Sequence, residues 1–533
     1  MKTSRYFFTL LLLIAFVTTG FAANSEANFS KIEKTWTLRA DGSQEFRYVS
    51  EMTLYTYNAM HNIYGESFII YNPLQQQLTI NESYTKQKDG NIVKTPANAF
   101  VESLPYEAVD APGFNHLKEM VVVHTGLEIG ATIYLDYTIT TKAGYLPVLD
   151  INEMLQEASP VSSYSVTINV PEGKKLNYQL AGPAVKCTES SSNSMHSYKW
   201  NLTNVPASSR EGFLAINADD VPHLTATTFG SFKEALAEMN KRFAASKSYG
   251  SRTNAEYLTE KATSDKDKIQ KIQNYVVNDL ATVRVTLPHA GFALRDAEEV
   301  QRTAYGTIAE KTQMLSTMLD AVGIKNDVVV NVPANLNPEA EGLSSIRHFL
   351  VRVNIDGQTQ YLAPVVTDEP TFIHRGALDK YFTLAGEEIQ MPTTPVVVNE
   401  QMEVKADASK AENGYLVVDL PAAGKGIDSW GMSHLNSERT QTFELPTELD
   451  ETVTYTIDLP SGMELITPAT TREITKPFGS ISRSVTKEGN TVTVVRKIKL
   501  NQMQFTPAEY AALRTIVSEW FTTANNTILL SVK

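Results

Sequence analysis

The sequence predicts a multidomain α+β protein, with a central α+β core between two β-sandwich-like domains. Three observations predict it. Helical spacing of apolar residues is concentrated between residues 231 and 323, alternating strand patterns fill the chain on both sides, and Gly, Asn and Asp turn signals separate the alternating runs. A chain of 533 residues has room for about three or four domains of ordinary size. The pattern divides it into a signal peptide at 1–22, a β-sandwich-like domain at 23–215, the α+β core at 232–391, and a β domain with one helix at 392–533.

The N-terminus starts with Lys2 and Arg5, runs through the apolar FFTLLLLIAFV, and reaches small residues at Gly20 and Ala22. This is the layout of a secretory signal, so cleavage is expected after Ala22 and the mature chain is expected to be exported. The apolar run is short for a lasting membrane anchor, and no cysteine stands near the cleavage point to carry a lipid. Strand patterns follow from Asn24 to about Ala215. Asp41-Gly42 sits between two alternating runs, a hairpin signal, and Lys88-Asp89-Gly90-Asn91 marks a second turn. Pro222 and Gly230 break the connection at 216–232.

The segments 231–246 and 264–280 read as helices, the second carrying Ile269, Ile272, Tyr275, Val276 and Leu280 on one face. Thr307 followed by Glu310 is a capping box that makes Ile308 the first residue of the next helix. Leu315, Met318, Leu319 and Val322 continue it at helical spacing, and Gly323 ends it. Alternation around Phe349, Val351 and Val353, an Asp356-Gly357 turn, and Tyr361-Leu362 predict a hairpin. Strands resume after residue 392, with a turn at 487–490. A helix at 506–521 has Thr506 as its cap, Pro507 at its first position and Glu509 completing the box. TINVPEGKKL at 167–176 and TIDLPSGMEL at 456–465 share a strand, a Pro and a Gly at identical offsets.

A formal net charge of −13 and a pI near 5.3 argue against nucleic acid or an anionic membrane as a partner. Cys187 is the single cysteine, so no internal disulfide can form, and its strand-rich surroundings suggest a half-buried structural thiol. The nine histidines are dispersed without ligand spacing, so neither a metal nor another cofactor is expected. GMSHL at 431–435 lacks the second glycine of a serine-hydrolase elbow, and Glu298-Glu299 reads as a solvated helix face. Trp430, in a Gly-rich stretch, is the aromatic residue placed best for an exposed contact.

The segment Tyr305-Gly306-Thr307-Ile308-Ala309-Glu310-Lys311, its continuation QMLSTMLDAVGI, His348, and Ala363 within YLAP resemble the core of the bacterial transglutaminase-like superfamily. That superfamily is related in chemistry to papain-like cysteine proteases. Its members carry Tyr-Gly-Asp-Cys-Lys-Asp-Lys entering a helix, then a His opening one strand and an Asp ending the next. Tyr305, Gly306, Lys311 and His348 match, whereas the nucleophile position holds Ile308 and the acid position Ala363. RADGSQEFRY, DAPGFNHLKEMVVV, LEIGATIYLDYTI and SYKWNLTNVPA, in that order, resemble the domain of unknown function that often precedes such cores in exported bacterial proteins. The resemblance implies a papain/transglutaminase-like core and a periplasmic location in a Gram-negative cell.

A cysteine at a helix N-terminus is activated by the helix dipole and a histidine, and the carboxylate sets the imidazole tautomer. Isoleucine has no lone pair to donate and alanine carries no charge. The triad therefore reads as degenerate, with His348 a vestige. The expected function is protein or peptide binding by an inactive core. The alternative is an active protease or acyl transferase that uses His348 with a non-cysteine nucleophile. Thr307 could offer a hydroxyl, but capping accounts for it, and Asp368 could stand in for the lost acid. The oligomeric state is left open by the sequence.

Overall fold

The computed structural model describes residues 25–146, 148–215, 218, 220–245 and 250–532. The expected signal peptide and its cleavage point after Ala22 lie outside the described residues. Two units divide the chain. The first takes the chain up to Ser208 together with Val221–Asp368 and Phe382–Glu388, and the second takes Ser209–Asp220, Glu369–Tyr381 and the chain from Ile389 onward.

In the first unit, strands Ala27–Leu38 and Gln44–Leu54 form the hairpin announced by Asp41-Gly42, with Gly42 at φ +83°. They belong to an eight-stranded sheet in which Ala27–Leu38 also pairs in parallel with Val161–Pro171. Alternation gives that sheet its buried face: Tyr164, Val166, Ile168 and Val170 are fully buried, and Trp200 packs with them. The helices are α1 (Phe232–Ala245), α2 (Gly250–Thr259), α3 (Asp265–Asn274), α4 (Ala297–Thr303) and α5 (Ile308–Ala321). Met314, Leu315, Met318 and Leu319 of α5 pack with Ile269 and Ile272 of α3 and with Val351, Val353 and Leu362 of the hairpin. Strands His348–Ile355 and Gln358–Leu362 turn through Asp356 (φ +51°) and Gly357 (φ +79°), the two positive-φ positions that a two-residue hairpin loop requires.

The structure corrects the expected fold class. It is mostly β, 41% strand against 21% helix, spread over many sheets. It does not place a central papain/transglutaminase-like α+β core between two β-sandwich-like domains. The physical reason lies in how the cores are shared. Leu146 and Val148 from the N-terminal half pack with Phe229, Phe232, Val330 and Val332. Ala108, Ala111, Phe114 and Leu117 pack with Val283, Val285 and Tyr305. Helical periodicity shows that a face is buried and says nothing of what buries it.

The second unit has a five-stranded sheet, ordered Val396–Lys405, Leu449–Asp458, Thr491–Leu500, Gly479–Glu488, Thr471–Lys476. Its core includes Val453, Tyr455 and Val494 of the sheet and Leu513, Ile516 and Trp520 of α6 (Pro507–Phe521). The TINVP/TIDLP echo is structural as well. Val161–Pro171 and Leu449–Asp458 each lie between a parallel neighbour that precedes them in sequence and an antiparallel neighbour that follows. Among the described residues, no helix is long and apolar enough to cross a membrane.

Candidate functional site

The site is built at the start of α5. Thr307 is extended (φ −66°, ψ 165°), its Oγ1 accepts the Glu310 N–H at 3.2 Å, and Glu310 Oε2 accepts the Thr307 N–H at 2.9 Å. The capping box is therefore formed, and the Thr307 hydroxyl serves the helix end. Glu310, 2% exposed, also receives Arg295: Oε1 accepts from the Arg295 backbone N–H at 2.9 Å and from Nε at 3.0 Å, and Oε2 from Nη2 at 3.0 Å. The guanidinium lies 4.3 Å from the Tyr305 ring centroid and 5.0 Å from that of Phe114, and Tyr305 Oη accepts the Gly113 N–H at 2.6 Å.

Lys311 is buried. Its Nζ donates to Leu280 O at 2.7 Å and Thr282 Oγ1 at 2.8 Å, and burial pulls its ammonium down to about 8. A side chain on Gly306 would meet Val300 Cγ1 at 3.2 Å and Lys311 Cγ at 3.3 Å. The matched residues Tyr305, Gly306 and Lys311 thus hold the helix entry in place. On this buried frame Ile308 is the exception: it is 45% exposed, while Ala309 to Leu319 are all buried. An exposed aliphatic side chain is thus presented at the positive end of a helix.

His348 opens its strand opposite Asn331 of strand Asn326–Pro333. Asn331 Oδ1 accepts the His348 backbone N–H at 2.8 Å and lies 3.1 Å from Nδ1. Because a backbone N–H can only donate, it fixes the amide with its oxygen toward His348, which assigns the imidazole proton to Nδ1. Asn331 is 1% exposed, and its Nδ2 has no hydrogen-bond partner among the described residues. Ala363 is fully buried, and its carbonyl accepts from Gln273 Nε2 at 3.2 Å. Asp368 is exposed. The side chain that orients His348 is thus an asparagine from the neighbouring strand. Sequence reasoning missed Asn331, because only the strand register identifies it.

A second support was also missed. Asp150 accepts from Leu343 N (2.5 Å), Ser344 N (3.3 Å) and Ser344 Oγ (2.5 Å), and Asn152 Nδ2 donates to Ser344 O at 2.6 Å. These bonds pin the loop that leads into His348. The approach is close: a Cβ on Gly342 would stand 2.2 Å from Asp150 Oδ1. Burial pushes the Asp150 carboxyl up to about 6 against the pull of its hydrogen bonds.

Elsewhere, Cys187 is half-buried and burial pushes its thiol up. Trp430 is partly buried against the core of the second unit, so it is not the exposed contact that the sequence suggested. No group of three or more His, Cys, Asp or Glu converges on a metal position among the described residues. The contrast between Ile308 and Cys187 leads to a prediction. In Ile308→Cys, alkylation at position 308 by iodoacetamide at neutral pH should run about tenfold faster than at Cys187, because a helix N-terminus stabilises a thiolate. Peptide mass spectrometry over a time course would read both positions, and equal rates would remove the helix entry as an activating environment.

Residues 40–209 match DUF3857 and residues 415–530 match DUF3858, each described as a domain of unknown function with a solved structure. No curated protein matches the chain. The crystal structure of a "putative protease" from Parabacteroides distasonis is 48% identical to it, with a TM-score of 0.88 over 95% of this chain and 99% of that one. This chain belongs to the same family. Family membership and the pair of domains support a protein of the transglutaminase-like type. A "putative cysteine protease" from Cytophaga hutchinsonii matches at 13% identity and TM-score 0.21, over 45% of this chain and 85% of that one. An M1 zinc metallopeptidase from Deinococcus radiodurans matches at 10% and 0.20, over 38% and 42%. Scores that low say nothing about this chain.

Proposed function

We propose that the protein is exported and binds protein or peptide at the α5 entry, without catalysing a reaction there. One observation carries this reading: the helix position where the resemblance expects a nucleophile presents the exposed side chain of Ile308. The description of the Parabacteroides relative as a protease supports a peptide as the class of ligand. An apolar side chain at the mouth of such a site can pack against a bound chain but cannot attack it. The proposal of export rests on the charged, apolar and small-residue pattern of residues 1–22.

A second reading is favoured by the His348–Asn331 hydrogen bond, which leaves His348 oriented as a working base would be. On that reading the protein is a protease or acyl transferase using a nucleophile other than cysteine. An activity screen of the mature chain separates the two. Peptide hydrolysis and amine incorporation into glutamine-bearing substrates would be assayed with His348→Ala alongside. Silence in both proteins is expected. Turnover that vanishes in a folded His348→Ala variant would overturn the binding-only reading. For binding itself, peptides selected from a display library on the wild type should lose affinity for a folded Ile308→Asp variant, and equal affinity would place the binding site away from the α5 entry.

A further inference from the structure

Three arginines stand side by side on one face of the five-stranded sheet in the second unit. The register sets Arg472 opposite Arg483 and Arg483 opposite Arg496, across three neighbouring strands. Like charges directly opposite one another on a sheet repel, and more strongly where water is excluded. Arg496 is 3% exposed.

The carboxylates nearby neutralise this row only in part. Glu519 pairs with Arg472 at 3.1 Å and is shared with Asn525 Nδ2 at 2.9 Å. Glu451, on the strand beyond Arg496, directs its Oε2 to the Ile427 N–H at 2.9 Å. Asp428 accepts from Trp520 Nε1 at 2.8 Å. Arg483 and Arg496 have no carboxylate within ion-pair distance among the described residues, and their hydrogen bonds go to neutral acceptors. Arg483 Nη2 donates to Thr527 O at 3.0 Å. Arg496 donates to Trp520 O at 2.5 Å and to Tyr455 Oη at 3.4 Å, and lies 3.9 Å from the Trp520 ring centroid. Among the described residues, Arg483 Nε is buried without a hydrogen-bond partner. Burial and the neighbouring Arg496 both push the Arg483 guanidinium down, the direction expected where a counter-charge is missing.

The three arginines line one cavity with Trp520, Ile481 and the carboxylate of Glu519, so three positive charges face one negative charge there. Its volume is about 10 Å³, room for a single small occupant. We propose that this cavity binds a single monovalent anion of about the size of chloride, held by Arg483 and Arg496 with Arg472 at the rim. A negative charge there meets the unpartnered Nε and relieves the repulsion along the row.

Crystals of the full chain soaked in bromide test this directly, since bromide replaces chloride and scatters anomalously. An anomalous peak within hydrogen-bonding reach of Arg483 Nε is expected. A cavity without bromide, or one that takes up sulfate in its place, would overturn the proposal. In solution, the excess broadening of the chlorine NMR line caused by the wild type should be mostly lost in Arg483→Gln. Equal broadening by a folded Arg483→Gln would overturn the assignment. Should that variant fail to fold, the bromide soak on the wild-type chain still decides.

Discussion

Glu310→Ala is expected to destabilise the first unit by about 3–5 kcal/mol, the cost of leaving a buried charge without its partner. Glu310 and Arg295 are both largely removed from solvent, with side-chain exposures of 1% and 10%, and they meet through two guanidinium hydrogen bonds. The substitution also removes the acceptor for the Arg295 and Thr307 backbone N–H groups. Those donors open the loop and the helix, so part of the cost appears as fraying of α5. Hydrogen exchange of the α5 amides together with urea unfolding would measure it. Replacing both partners by apolar residues, Arg295→Met with Glu310→Leu, should recover much of the loss, because no lone charge then remains buried. A loss below about 1 kcal/mol for Glu310→Ala alone would mean that water reaches the pair and that the entry is less rigid than its geometry indicates.

A pH-dependent loss of stability is expected in the second unit, and Glu451 is its source. Burial pushes this carboxyl up to about 7, the largest of its causes, with the Ile427 N–H pulling the other way, Asp428 and Glu400 adding repulsion, and Arg496 partly offsetting it. Its other oxygen, Oε1, has no hydrogen-bond partner among the described residues. With the folded pKa above the unfolded value of about 4.3, the native state holds a proton that the unfolded chain has released. The stabilisation is fully present below about pH 4.3 and is lost as pH rises through 7, by an amount on the order of 3–4 kcal/mol. In Glu451→Gln this component of the slope should vanish, so the difference between variant and wild type should grow in the variant's favour from pH 5 to 8. Urea midpoints across that range would measure it. Parallel profiles would show that Glu451 is charged in the fold at every pH tested.

Much of the local structure was legible in the sequence. The capping box at Thr307, the Asp356-Gly357 turn and the hairpin at Asp41-Gly42 are each written within a few neighbouring residues and form where the pattern places them, and at Thr506 the helix starts as expected with Glu509 accepting the Thr506 N–H and hydroxyl. The fold class was not legible at that range. The helices around α5 show an apolar face, but Leu146, Val148 and Phe114, which cover parts of the same unit, lie far away in sequence and carry no helical signal. A reading by periodicity therefore separated segments that share cores.

By itself, the sequence determined which chemistry each position can offer: an isoleucine at 308 and an alanine at 363 where the resemblance expects a cysteine and an aspartate. It also determined the helix ends and turns, whose hydrogen bonds close over two to five residues. Only the tertiary structure decided what each side chain meets. It put Asn331 beside His348, Asp150 beneath the loop at 342–345, and Arg472, Arg483 and Arg496 in one row. Such pairings depend on strand register and on contacts between distant segments. A shift of one residue would send every side chain to the opposite face, and no short stretch of sequence specifies it.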